Sequence, residues 1–215
     1  MGSCRWSDLC VFSFHAVKII TTGEGGMITT DSATLYEKLC RLRTHGISRD
    51  PRHRLQGKRL PWYYEKLELG NHYRMTDIQA ALGRSQLKKI RIFQNKREKI
   101  AEAYSKSLHH LPLDLPRLTP GARSSWHLFP VCVKKELPFR DQVLAKLHRS
   151  GVMGNLHYIS VPKLRFYEKM KKTKARCTLA RKFEQREVSL PIHPLLTRTQ
   201  QEVVINCLQK ALKKI

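Results

Sequence analysis

The sequence lacks the features of membrane and secreted proteins. It has no apolar run that approaches the roughly 20 residues of a membrane-spanning helix. Its N-terminus, MGSCRWSDLCVFSF, lacks the charged-then-apolar layout of a secretory signal. Internal repeats and low-complexity segments are also missing. We therefore expect a cytoplasmic protein with no membrane partner.

Paired cysteines are missing as well. None of the six cysteines belongs to a Cys-x-x-Cys pair, and the wide spacing argues for reduced thiols rather than a disulfide framework. The same spacing does not suit zinc, so no metal site is expected. The cysteines are Cys4, Cys10, Cys40, Cys132, Cys177 and Cys207.

Acidic residues are scarce. The chain has 17 Asp and Glu against 41 Lys and Arg, which gives a formal net charge of +24. Three explanations remain open: a nucleic-acid partner, a substrate that carries a diphosphate, or a missing part of the protein that is more acidic. Because the basic residues are spread along the whole chain rather than packed into one tail, nucleic acid is the less favoured of the three.

What is present predicts a packed protein with alternating strands and helices. At 215 residues and 41% hydrophobic content, the chain can build a core. Residues 10–31 predict short strands joined by a tight glycine turn. Residues 31–46 predict a helix that Asp31 or Ser32 caps and Gly46 ends. An irregular loop is expected over 47–74.

Residues 75–111 predict one long helix or two abutting helices, capped by Thr76 or Asp77. A proline-rich break follows and suggests a domain boundary, so we divide the chain into 1–110 and 111–215. The second part alternates strands with helices, which is typical of an α/β unit. Its predicted strands cover 125–133 and 152–160, and its predicted helices cover 139–151, 165–172 and 197–215.

Lys18 is the residue whose surroundings invite chemistry. Covalent chemistry needs the free amine of a lysine, which partial burial favours, and Lys18 lies between apolar Val17 and Ile19. The hydroxyl of Ser13 and the glycine turn that follows could hold an anionic phosphate near that amine, as a pyridoxal phosphate enzyme requires. The alternative is an ordinary strand-edge lysine that points into water.

The segment VFSFHAVKIITTGEGGMITT resembles the cofactor-binding segment of the sugar-nucleotide aminotransferases, a branch of the fold-type I pyridoxal phosphate enzymes. Their usual pattern is Ser-Phe-His-Pro-x-Lys-x-x-Thr-Thr-x-Glu-Gly-Gly, and Ala16 stands here where proline is usual. Further matching motifs follow in the order of the family: RTHGI, PWYYEKLELG, YRMTDIQAALG, SSWHLFPV, NLHYISV and SLPIHPLLT.

The resemblance implies an α/β fold, namely the C-terminal portion of a fold-type I transferase: the end of its large domain and its small C-terminal domain. HGISRDP followed by PWYYE is most similar to the branch of the pseudaminic acid pathway. It implies a homodimeric enzyme with pyridoxal 5'-phosphate as cofactor. Such an enzyme would transfer an amino group, with glutamate as the expected donor, to a UDP-linked 4-keto-6-deoxy amino sugar.

Carried over by position, Lys18 would bind the cofactor and shuttle a proton, and Ser13 would bind the cofactor phosphate or the substrate. GNHYR matches the family's Gly-x-Asn-Tyr-Arg, whose asparagine reaches the site of the neighbouring subunit. Here His72 occupies that position and Asn71 lies one residue earlier. Either His72 replaces the contact or the loop has shifted.

NLHY matches a family segment that contacts the sugar nucleotide. Its residues Asn155, Leu156, His157 and Tyr158 are therefore candidate substrate contacts. The alternative is that His157 and Tyr158 are ordinary strand residues.

The match covers only the later half of the family's length. The earlier half carries the aspartate that pairs with the pyridine nitrogen, the ring that stacks on the cofactor and the helix N-terminus that binds the phosphate. We therefore expect the chain alone to be inactive and to need a complementing N-terminal half. The alternative is a basic fragment that binds polyanions without any cofactor and keeps transaminase motifs as relics.

Overall fold

The computed structural model describes residues 2–53, 60–135, 137–170 and 177–213. The chain forms two compact units, Met1–Ile90 and Arg91–Ile215. The long helix α3, Ile90–Leu108, contributes Ile100, Tyr104 and Leu108 to the core of the second unit. The apolar face of this helix explains why the units divide earlier than residue 110. Whether the large domain of the whole protein ends at residue 110 stays a prediction.

The first unit opens with two short strands, as predicted, but a loop over 14–25 joins them and the expected tight turn is wrong. β1, Cys10–Ser13, pairs antiparallel with β2, Gly26–Thr29, so that Ser13 lies opposite Gly26. α1, Ala33–Leu42, begins at the predicted cap, where the Ser32 hydroxyl accepts a hydrogen bond from the Leu35 N–H at 3.3 Å. The helix ends at Leu42, before Gly46.

The predicted loop over 47–74 contains some regular structure. β3, Ile47–Ser48, pairs antiparallel with β4, Glu65–Lys66, and a short 3-10 helix covers Pro51–His53. Residues 54–59 of this predicted loop lie outside the described residues. Two abutting helices follow, α2 at Asp77–Leu87 and then α3, and a capping box at Thr76 begins the first of them.

The second unit contains a three-stranded antiparallel sheet in the order β5-β6-β7. Its strands are β5, Leu113–Asp114, β6, Phe129–Val133, and β7, Glu187–Leu190. Side chains from the sheet and from α3, α4 and α7 share one hydrophobic core. The remaining helices are α4, Phe139–Arg149, α5, Arg165–Lys169, α6, Thr178–Arg186, and α7, Arg198–Lys213.

Two sequence predictions for this unit need correction. The strand predicted over 152–160 is wrong, because Asn155 forms only an isolated bridge with Ser189 and the other residues lie in a loop. Strand β7 and helix α6 were not predicted. All four residues of β7 are buried, so the strand lacks the alternation that would mark it in the sequence.

The two units differ in how far they bury their apolar side chains. Every buried hydrophobic side chain among the described residues belongs to the second unit. In the β1–β2 hairpin, Val11 is 72% exposed and lies opposite Ile28, while Met27 is exposed on the other face. No helix in the described ranges is long and apolar enough to cross a membrane. All six cysteines are free thiols.

Candidate functional site

Lys18 lies on a loop that main-chain hydrogen bonds close at its base. The N–H of Phe14 donates to the carbonyl of Gly25 at 2.8 Å, which extends the β1–β2 ladder by one step. The carbonyl of Phe14 accepts from the N–H of Thr22 at 3.0 Å and from the Thr21 hydroxyl at 3.0 Å. Lys18 itself is half-buried within this closed loop.

The side chain of Thr22 is buried within the loop and stabilises it. It is 3% exposed, and its hydroxyl donates to the carbonyl of Glu24 at 2.7 Å. A Cβ at Gly25 would lie 2.3 Å from the Thr22 Oγ1, and a Cβ at Gly83 of α2 would lie 2.8 Å from the Thr22 Cγ2. The close approach of loop and helix therefore requires glycine on both sides of this threonine.

Ser13 ends strand β1 with its side chain exposed. Its oxygen lies 3.5 Å from the N–H of His15, a long hydrogen bond, so the hydroxyl hydrogen remains available to another acceptor. The His15 ring lies 3.6 Å from the Glu24 carboxylate across the loop. The donor set of this hairpin, one amine and one free hydroxyl, suits the aldehyde and the phosphate of pyridoxal phosphate.

Asn71 and His72 are positioned where two chain segments cross. The N–H of Asn71 donates to the carbonyl of Leu42, and its carbonyl accepts from the N–H of His45, both at 2.9 Å. Gly46 and Gly70 meet at the crossing, where a Cβ on Gly70 would lie 2.2 Å from the Gly46 nitrogen. The structure thus brings RTHGI and GNHYR together, which the sequence alone did not predict.

The side chains of Asn71 and His72 differ in their contacts. The His72 Nε2 lies 2.6 Å from an Arg74 guanidinium nitrogen, and its ring meets the His45 ring edge-on at 5.2 Å. The Asn71 side chain is exposed. A cleft of about 690 Å³ adjoins the crossing, and its lining consists of Cys40, Arg41, Thr44, His45, Ile47, Ser48, Arg49, Tyr64 and Arg74.

Residues Asn155 to Tyr158 begin at the edge of β7 that faces away from β6. Asn155 exchanges two main-chain hydrogen bonds with Ser189, at 3.1 and 2.8 Å, and the N–H of His157 donates to the Glu187 carboxyl at 2.9 Å. Asn155 is exposed and Tyr158 is 69% exposed, while Leu156 and His157 are half-buried.

Sequence reasoning missed three residues that hold these segments: Thr22, Gly83 and Glu187. The first two lie within motifs that the resemblance matched, TTGEGG and QAALG, but the motifs do not say what each member does. Glu187 precedes an apolar run in a chain short of acids, and this contrast is the signal that could have identified it.

Comparison with known proteins decides the family. The model of the DegT/DnrJ/EryC1/StrS aminotransferase family matches residues 2–209. The chain belongs to this family. Its members use pyridoxal phosphate, and the described fold agrees with the C-terminal portion of such enzymes.

Sequence relatives include an uncharacterized protein of Methanocaldococcus jannaschii, 39% identical over 94% of this chain and 53% of the relative. UDP-4-amino-4,6-dideoxy-N-acetyl-beta-L-altrosamine transaminase of Campylobacter jejuni is 33% identical over 97% of this chain and 54% of the relative. This chain thus spans about half the length of the relatives that it matches.

Solved structures give the same picture. Helicobacter pylori PseC, an aminotransferase of pseudoaminic acid biosynthesis, superposes with a TM-score of 0.85 at 31% identity. That match covers 98% of this chain and 54% of PseC. The PLP form of the sugar aminotransferase Spr1654 from Streptococcus pneumoniae gives a TM-score of 0.88 at 27% identity, over 99% of this chain and 53% of the other.

Proposed function

We propose that this chain provides the lysine-bearing part of a pyridoxal phosphate-dependent sugar aminotransferase. Its amino acceptor is a UDP-linked 4-keto-6-deoxy amino sugar, its amino donor is glutamate, and its pathway is of the pseudaminic acid type, in the cytoplasm. The observation that carries the proposal is the half-buried Lys18 on a closed loop that also presents the free Ser13 hydroxyl. The names of the Campylobacter jejuni and Helicobacter pylori relatives support the sugar.

In this proposal Lys18 and Ser13 bind the cofactor, and Lys18 also transfers a proton. Pyridoxal phosphate, when bound, withdraws electrons from the carbon that gains or loses the amino group. Lys18 would hold the cofactor through its amine and, once released, would carry a proton between that carbon and the cofactor. Ser13 donates its hydroxyl hydrogen to a phosphate oxygen. The closed base of the loop holds the backbone from which the Lys18 side chain extends, which favours proton transfer.

The substrate contacts follow from side chains that the fold leaves exposed. Asn71 or His72 would reach a sugar nucleotide in a neighbouring subunit of a homodimer. Asn155 and Tyr158 supply an amide and a phenol, which suit sugar hydroxyl groups as hydrogen-bond partners. Leu156 and His157 lie between them and complete the segment.

We also propose that the active assembly buries the β1–β2 hairpin. A two-stranded hairpin is marginally stable in water by itself, and this one exposes Val11 and Ile28 on one face and Met27 on the other. A second copy of the chain or a complementing N-terminal half would cover these apolar faces. The chain alone would then be inactive.

The test is the attachment of the cofactor to Lys18. The purified chain is incubated with pyridoxal phosphate, alone and with the N-terminal half of the Methanocaldococcus jannaschii relative, and then reduced with borohydride. Peptide mass spectrometry locates the label. We expect label on Lys18 in the combined sample, none in Lys18→Ala, and normal labelling in Lys38→Ala, which alters an exposed lysine of α1.

Label scattered over many lysines, or absent from Lys18 in both samples, would refute the proposal. In that case the high positive charge favours the alternative function, which is the binding of polyanions. Binding to heparin that salt abolishes and that Lys18→Ala leaves unchanged would then indicate a polyanion-binding protein.

A further inference from the structure

Glu187 has a carboxyl group with no exposure to solvent. Glutamate is rarely buried so completely unless its oxygens are hydrogen-bonded. Oε1 accepts a hydrogen bond from the Ser189 hydroxyl at 2.6 Å, and Oε2 accepts from the His157 main-chain N–H at 2.9 Å. Arg140 donates to the Glu187 main-chain carbonyl and not to its carboxyl. Both carboxyl oxygens are therefore committed to polar groups inside the second unit.

The position of His157 explains what this carboxyl does. Two residues earlier, Asn155 pairs with Ser189 through two main-chain hydrogen bonds, as a short added strand would. The segment then leaves the edge of β7, so the N–H of His157 lies opposite no main-chain carbonyl of that strand. The side chain of Glu187 supplies the acceptor for this N–H, and so the strand holds the segment at two points instead of one.

This double attachment fixes the backbone on both sides of Leu156. It leaves the side chains of Asn155 and Tyr158 exposed. We propose that Glu187 is a positioning residue, which sets the backbone of residues 155–158 so that Asn155 and Tyr158 contact the sugar nucleotide. This inference rests on the proposed function. Glu187 itself does not touch the substrate, because it is buried.

The first test is independent of activity and uses amide hydrogen exchange of His157 in the full chain, measured by NMR. In Glu187→Met the N–H loses its acceptor, so its exchange should accelerate by about tenfold. Glu187→Gln should stay near the wild-type rate. Its amide oxygen can accept from the His157 N–H, and its amide group can donate to the Ser189 oxygen.

The matched control is Glu184→Met. Glu184 is also a buried glutamate, but its carboxylate accepts from Ser160 and Lys163 instead of His157. This variant should leave the His157 exchange rate unchanged. An unchanged rate in Glu187→Met, or equal acceleration in the glutamine and methionine variants, would overturn the inference.

The second test separates positioning from a general loss of structure. The assembly that attaches the cofactor to Lys18 is assayed with a UDP-linked 4-keto-6-deoxy-N-acetylhexosamine. We expect Glu187→Met to raise KM by about tenfold with kcat within about twofold, and Glu187→Gln to restore KM. A lower kcat at unchanged KM would overturn the role in sugar contact. If the cofactor attaches but no amino group reaches the sugar, the proposed function fails, and the exchange test still decides whether Glu187 positions the segment.

Discussion

Replacing Gly46 by alanine should open the crossing that positions Asn71 and His72. Gly46 has φ +71, a left-handed conformation that costs an alanine about 1–2 kcal/mol. The added Cβ would also lie 1.8 Å from the carbonyl oxygen of Glu68, a main-chain atom that cannot turn aside. Forcing the two backbones apart costs about 1–3 kcal/mol more. We expect a total loss of about 3 kcal/mol in the local stability of the crossing.

The assay is hydrogen exchange at the N–H groups that bond across the crossing, those of His45, Leu67 and Asn71. Gly23→Ala is the matched control in the same unit, because Gly23 has φ +79 and no atom within 4 Å of an added Cβ. The control should lose only the conformational cost of about 1–2 kcal/mol, in the stability of its own loop, and should leave these three amides near their wild-type exchange rates. If these amides are as well protected from exchange in Gly46→Ala as in Gly23→Ala, the close contact of the two segments does not exist and the reasoning fails.

Two further predictions concern the second unit. Arg97→Met should lower the free energy of unfolding of this unit by about 3 kcal/mol, because the buried guanidinium donates to three main-chain carbonyls that would lose this donor. A loss below about 1 kcal/mol in urea denaturation would contradict this prediction. Burial raises the pKa of Glu184, but hydrogen bonds from Ser160 and Lys163 outweigh burial and hold that pKa below its usual 4.5. The carboxylate therefore stabilises the fold above pH 4.5 and loses this effect as the pH falls below that value. The difference in unfolding free energy between the wild type and Glu184→Gln should shrink between pH 7 and pH 3. An unchanged difference would contradict the hydrogen bonds assigned to this carboxylate.

Local signals in the sequence predicted the elements that depend on local chemistry. Ser32 and Thr76 cap their helices as expected, since a hydroxyl oxygen at this position accepts a hydrogen bond from an otherwise unpaired N–H of the first turn. The strand-like residues around Lys18 predicted β1 and β2, but a loop over 14–25 joins these strands and not the tight glycine turn that was expected. Strand β7 escaped prediction because its burial on both faces removes alternation, and the strand predicted over 152–160 was wrong because its contact with the sheet is a single bridge.

Pairings between distant segments are harder to predict, and they position the candidate residues. The crossing of Gly46 with Gly70 and the packing of Gly83 against Thr22 join segments that lie tens of residues apart. A glycine signals that some close approach occurs, but only the partner's position tells which backbone or side chain approaches.

The two units position their candidate residues by different physical means. In the first unit the described residues include no buried hydrophobic side chain, so Lys18 and Asn71 depend on main-chain hydrogen bonds and on contacts that only glycine permits. In the second unit a packed core holds β7 in place, and the carboxyl of Glu187 transmits that position to residues 155–158. Substitutions at the glycines of the first unit should therefore disturb the lysine loop or the crossing locally. A substitution in the core of the second unit should reach residues 155–158 through β7 and Glu187.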